Sequence, residues 1–362
     1  MTTNKSFRAL GIIYIVPPHL ADSAISENVR RRKETLEALG YTVYIIEHRE
    51  KRIMHVCLLL WKLRKYAKHI IIRIDGTSLL DKYTLLRLVL PRHIFIWEIH
   101  GFPEEYLEIS ENFSSRMMVW KNSLKRTLLS FFVDACIFIS EEVLAYARKK
   151  IRVRHACVIP NYINQPTSSR KSTARFQLPF LLNKNAYIVL WGGDASLPWQ
   201  ATDLIPKIAQ EIYQRDKNIL FFLVGTYYYH QLSAYKNLVY LQPLPYLQFL
   251  SLIHQSHVCL CLYHQPNHIP FYFYPMKLLN YLFAGKPVIA TKIGSINGLI
   301  KHNVNGFLTD NTIHDIAKTI LKLKRNRRLS KKVAMNARRY AATHLSDVQA
   351  KSNYRALFQS FL

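Results

Sequence analysis

The sequence predicts an α/β protein built from two doubly wound, parallel-sheet domains, and three observations carry that expectation. Short apolar runs end in glycine and lead into helical segments, as in Ala186–Gly193 and Ile219–Gly225, a pattern that sets ligand-binding loops at the carboxyl edge of a parallel sheet. The same alternation recurs in the first half. The chain has 362 residues, 49% of them hydrophobic, more than one core usually organises.

The elements follow in order. Ala9–Val16 reads as the first strand, Pro17–Asp22 as its loop, and Ser26–Leu39 as a helix closed by Gly40. Val43–Ile46, Ile70–Ile74, Ile94–Trp97 and Asp134–Ser140 are later strands, and Ser140 is placed to cap a helix over Glu141–Lys150. Val158–Asn161 ends the first domain. The polar, aperiodic stretch Gln165–Thr173 is the expected linker, giving domains over 1–165 and 174–345, with residues 346–362 as a terminal helix. In the second domain, Pro275 suits a first helical turn and Met276, Leu278, Leu279, Leu282 and Phe283 form an apolar stripe. Gly285 stops that helix, and Pro287 opens the buried strand Val288–Ala290. A helix start offers N–H groups to an anion, and Lys277 adds charge there. By itself this could also be an ordinary helix–strand unit.

Five scattered cysteines with no CxxC pair point to reduced thiols in a cytosolic compartment. No signal peptide and no membrane span is expected. The histidines lack metal-ligand spacing, so no metal site is expected. The formal charge of +27 favours anionic partners, with basic clusters at Arg30–Lys33, Trp61–Lys68, Arg148–Arg154 and Lys322–Arg339. Segment Arg116–Phe132 is both basic and rich in large apolar residues, including Trp120, Phe131 and Phe132. It reads either as an interfacial helix on an anionic membrane or as a core helix with solvated lysines. A nucleic-acid partner is not expected, because the basic residues are dispersed and no recognition motif is present.

The segment Tyr274–Thr291 resembles the donor site of GT-B glycosyltransferases of the retaining family 4, the glycosyl transferases group 1. Lys292–Ile300 and Asn305–Leu308 resemble that family's glycine turn and following strand, Trp97–Gly101 its His-Gly element, and Val158–Tyr162 its Ile-Pro-Asn-Gly segment with Tyr162 in place of glycine. The resemblance spans nearly the whole chain. It implies two Rossmann-like domains facing a cleft, a C-terminal helix crossing back to the first, and metal-independent transfer with retention. It further implies a nucleotide-sugar donor held by Gly192, Gly193, Gly225, Lys277, Asn280, Gly294 and Ser295, with His100 acting on the transferred sugar. Glu98, Glu104 and Glu105 are candidates for acceptor hydroxyls, although solvated loop carboxylates are the default for Glu104 and Glu105. The acceptor is expected to be a glycan or a lipid-linked glycan in polysaccharide or lipopolysaccharide assembly, made by an enzyme peripheral to the cytoplasmic membrane. Three positions depart from the family. Asn280 stands where a ribose-binding glutamate is usual, Gln200 where a lysine is, and Gly298 where a later glutamate is. Those departures leave open a degenerate protein serving as a partner subunit.

Overall fold

The computed structural model describes residues 11–18, 24–48, 58, 60–76, 80–164, 176, 186–226 and 235–361. The expected linker at 165–173, most of the loop to Asp22, and Cys57 lie outside these residues. Two compact units are present, one holding Ile25–Pro160 with the first strand and the segment from Asp347, the other holding Asn161–Ser346.

In the first unit Gly11–Val16 (β1), Thr42–Glu47 (β2), Ala67–Ile74 (β3), Ile94–Ile99 (β4), Ala135–Phe138 (β5) and His155–Val158 (β6) form a parallel sheet in the order β2-β1-β3-β4-β5-β6. Every residue of β1 is buried, as are all but one of β3. Sheets covered on both faces require such continuous apolar runs. Strand β6 is not among the expected strands; in it His155 pairs with Ala135 of β5. As a half-exposed edge strand it lacks the buried run that marks the others. The helix Ala24–Glu37 begins two residues before the expected Ser26. Arg31 and Arg32 on it are 2% and 1% exposed, so the Arg30–Lys33 run is not the solvated basic cluster its composition suggests. Ser140 caps Glu141–Ala147 as expected, its hydroxyl accepting the Val143 N–H at 3.2 Å.

The second unit holds Tyr187–Asp194 (β7), Ile219–Thr226 (β8), Leu238–Leu241 (β9), Val258–Cys261 (β10), Val288–Thr291 (β11) and Phe307–Thr309 (β12), all parallel, ordered β12-β11-β10-β7-β8-β9. The order reverses between β7 and β10, and ligands of doubly wound sheets bind outside the carboxyl ends at such a switch point. Cys259 and Cys261 are fully buried in one core with Leu278, Leu279 and Leu282 from the helix Met276–Phe283. The C-terminal helix Asp347–Gln359 belongs to the first unit, where Tyr354 meets Arg32 and Phe358 packs on His69. Among the described residues no helix is long and apolar enough to cross a membrane.

Candidate functional site

In the second unit the buried face of the helix Met276–Phe283 turns the half-buried Lys277 toward the carboxyl end of β7. Its Nζ donates to the Gln200 side-chain oxygen at 2.9 Å and lies 4.3 Å from the centre of the Trp191 ring and 5.3 Å from that of Tyr263. Ring faces attract a cation without neutralising it. Among the described residues no carboxylate reaches ion-pair distance of Lys277, and burial pushes its ammonium down to about 8 from 10.5. An approaching anion relieves that cost by supplying the missing charge. Glycine at 193 leaves room for the lysine, since a Cβ there would stand 2.7 Å from Nζ.

The other expected donor residues divide by what their polar groups already do. Gly192 donates its N–H to the Tyr281 hydroxyl at 3.1 Å, so this amide is engaged within the fold rather than free for a phosphate. The cause is the full burial of Tyr281, whose hydroxyl needs a partner. Gly225 faces Gly193 across β8 and β7, so close that a Cβ would fall 1.8 Å from the Gly193 carbonyl oxygen. Gly294 has φ +42°, and a Cβ there would meet the Phe271 carbonyl oxygen at 2.0 Å, so the turn requires glycine. The Ser295 hydroxyl is committed to the Phe273 carbonyl. Asn280 is buried on the same helix as Lys277, and its side-chain oxygen accepts the Tyr246 hydroxyl at 2.9 Å. A Cβ at Gly298 would meet nothing within 4 Å.

In the first unit Glu98 is the penultimate residue of β4, and His100 follows the strand beside the end of β3. Glu98 Oε1 takes Arg32 Nε at 2.7 Å and His100 Nε2 at 2.5 Å, while Oε2 accepts the Tyr14 hydroxyl at 2.6 Å. A carboxylate only accepts, so Nε2 carries the proton and Nδ1 faces Arg73 Nη2 at 3.4 Å as an acceptor. Burial and the Arg73 charge outweigh Glu98 and lower the pKa of His100, keeping the ring neutral. Burial alone would raise the Glu98 carboxyl, but Arg32, His100 and Arg73 together hold it well below the usual range. Both His100 nitrogens therefore have protein partners, and Glu98 anchors the cluster instead of facing acceptor hydroxyls. Glu104 is 9% exposed and pairs with Lys150 at 3.0 Å, while Glu105 accepts the Phe102 N–H at 3.1 Å. Neither is a freely solvated loop carboxylate. The sequence gives no sign of Tyr14 at this cluster and places Arg32 only within a basic run. An arginine inside the apolar run Ile70–Ile74 was the available signal for Arg73.

The basic, aromatic segment forms the helix Phe113–Leu129 and the short turn Ser130–Phe132. Trp120 is 59% and Phe131 52% exposed, whereas Val119, Arg126 and Leu129 face inward. Leu85, Trp120, Leu124, Leu128 and Phe132 line an apolar groove rimmed by Lys121 and Lys125. The helix is therefore amphipathic, one face packed in the first unit and the other exposed. Among the described residues no group of three metal-ligating side chains is present.

Residues 194–340 match the family model described as glycosyl transferases group 1. Among solved structures, HepE from Anabaena in complex with UDP is similar at TM-score 0.65 and 15% identity, over 97% of this chain and 100% of that one. Sucrose-phosphate synthase from Thermosynechococcus elongatus is similar at TM-score 0.67 and 14% identity, over 97% of this chain and 100% of that one. WaaG, a glycosyltransferase involved in lipopolysaccharide biosynthesis, is similar at TM-score 0.64 and 13% identity, over 94% of this chain and 98% of that one. These likenesses establish the GT-B fold. No curated protein matches the sequence.

Proposed function

We propose that this glycosyltransferase, with its group 1 domain on a GT-B fold, moves a sugar from a nucleoside diphosphate donor to a glycan or lipid-linked acceptor in cell-surface polysaccharide assembly. The observation that carries the reading is Lys277, a half-buried cation with neutral partners at the switch-point edge of β7. Its charge, with the dipole of the helix it begins, suits a diphosphate and eases departure of that group without a divalent ion. HepE in complex with UDP-glucose is a structural neighbour that supports a nucleotide-sugar donor. Asn280, one turn along the helix, is assigned to the ribose, and the His100 turn to the transferred sugar, with retention of configuration.

The acceptor side of the reading is peripheral to the inner face of the cytoplasmic membrane. Its support is the exposed apolar face of the helix Phe113–Leu129 with Lys121 and Lys125 beside it, in a chain of formal charge +27. Calorimetry with UDP, GDP and ADP tests the donor reading. One of them should bind the folded protein. Binding by none would favour a non-catalytic partner subunit, which the neutral Asn280 and Gln200 would then explain.

A further inference from the structure

We infer that Arg126 is a positioning residue through which the helix Phe113–Leu129 holds the turn His100–Glu105. The inference rests on the proposed role of that turn. Arg126 is 1% exposed, and its guanidinium donates to the Gly101 carbonyl at 3.0 Å through Nη1 and to the Asp75 carbonyl at 3.2 Å through Nη2. These carbonyls leave the ends of two neighbouring strands, β4 and β3, where the ladder no longer supplies donors. One planar fork thus spans both turns at the carboxyl edge. Asp81, fully buried, provides the countercharge, 3.6 Å from Arg126 Nε and 2.9 Å from Lys125 Nζ. A second tie runs one turn earlier, where the Ser123 hydroxyl donates to Glu104 at 3.3 Å. The inward face of one helix therefore holds the residue after His100 and a carboxylate four residues beyond it. The outward face carries Trp120, Leu124 and Leu128, so an occupant of that face bears on the element that sets the turn.

The test is Arg126→Lys, which keeps the charge but replaces the fork by one ammonium unable to reach both carbonyls along fixed directions. Amide exchange at Gly101–Glu105 should accelerate about tenfold while amides of β10 keep their rates. If the protein turns over, kcat should fall at least about tenfold with donor KM and nucleoside diphosphate Kd unchanged. Unchanged exchange at the turn would overturn the inference. So would a loss confined to nucleotide affinity. A loosened turn in a protein that binds no nucleoside diphosphate would keep the tie and remove the transferase reading. Should Arg126→Lys not fold, Ser123→Ala takes its place, being favourable in a helix. Severalfold faster exchange at Glu104 and Glu105 is then expected, and no change there overturns the tie.

Discussion

Lys277 Nζ donates to Gln200 Oε1 at 2.9 Å, pairing the cation of the proposed donor site with a neutral oxygen. A neutral acceptor orients the ammonium and leaves its charge available to an incoming phosphate. Lys277→Ala should therefore weaken nucleoside diphosphate binding by about 1.5–3 kcal/mol and leave the free nucleoside nearly unaffected. Because burial pushes the ammonium down to about 8, diphosphate affinity should also decline as pH rises above that value. Calorimetry between pH 7 and 9.5 reads both effects. Equal weakening of diphosphate and nucleoside would place Lys277 outside the phosphate site.

Glu98→Gln should destabilise the first unit by about 3–5 kcal/mol, because it leaves buried Arg32 without its carboxylate partner. Glu98 is depressed in the folded state, so its contribution is present above the unfolded value of 4.5 and fades as pH falls toward the folded value. Urea unfolding at pH 7 and pH 4 checks both statements, and the deficit of the variant should shrink at the lower pH.

His69 gives the fold a second acid dependence. It sits on β3 between Tyr41 and Phe358, and neither ring nitrogen has a hydrogen-bond partner among the described residues. Burial, with Lys68 nearby, pushes it down to about 4 from 6.5. A proton is therefore taken up first by the unfolded chain, and stability is lost as pH falls from about 6.5 toward 4, by at most about 3 kcal/mol. Thermal melts of His69→Phe should be flatter across that window than those of the native protein.

Trp120→Ser and Phe131→Ser should leave the melting temperature nearly unchanged, since both side chains are more than half exposed. Sedimentation with vesicles containing anionic lipid should show weaker binding by the double variant at low salt. Salt should release the native protein from the same vesicles. Native binding that does not differ from the variant's would assign the helix's apolar face another occupant.

Much of the architecture was legible in the sequence because it is written in local patterns. Apolar runs of strand length, glycines after them, the Ser140 cap and the stripe of the helix at Met276 each depend on residues a few positions apart. Lys277 was legible for the same reason, as a basic residue in the first turn of a helix. Its hydrogen bond to Gln200 was not, since Gln200 lies 77 residues away and only the tertiary structure brings the loop after β7 to the helix. The same holds for the carboxylates. Glu98, Glu104 and Glu105 look alike as acidic residues beside a turn, yet one is ringed by Tyr14, Arg32 and His100, one pairs with Lys150, and one accepts a backbone N–H. Composition places Arg32 in a basic run, but it reaches Tyr354 across 322 residues. A charged side chain's role is set by what desolvates and compensates it. Local periodicity therefore determined the strands and helices, whereas the tertiary structure alone decided which charges are neutralised inside each unit and which, like Lys277, remain able to meet a ligand.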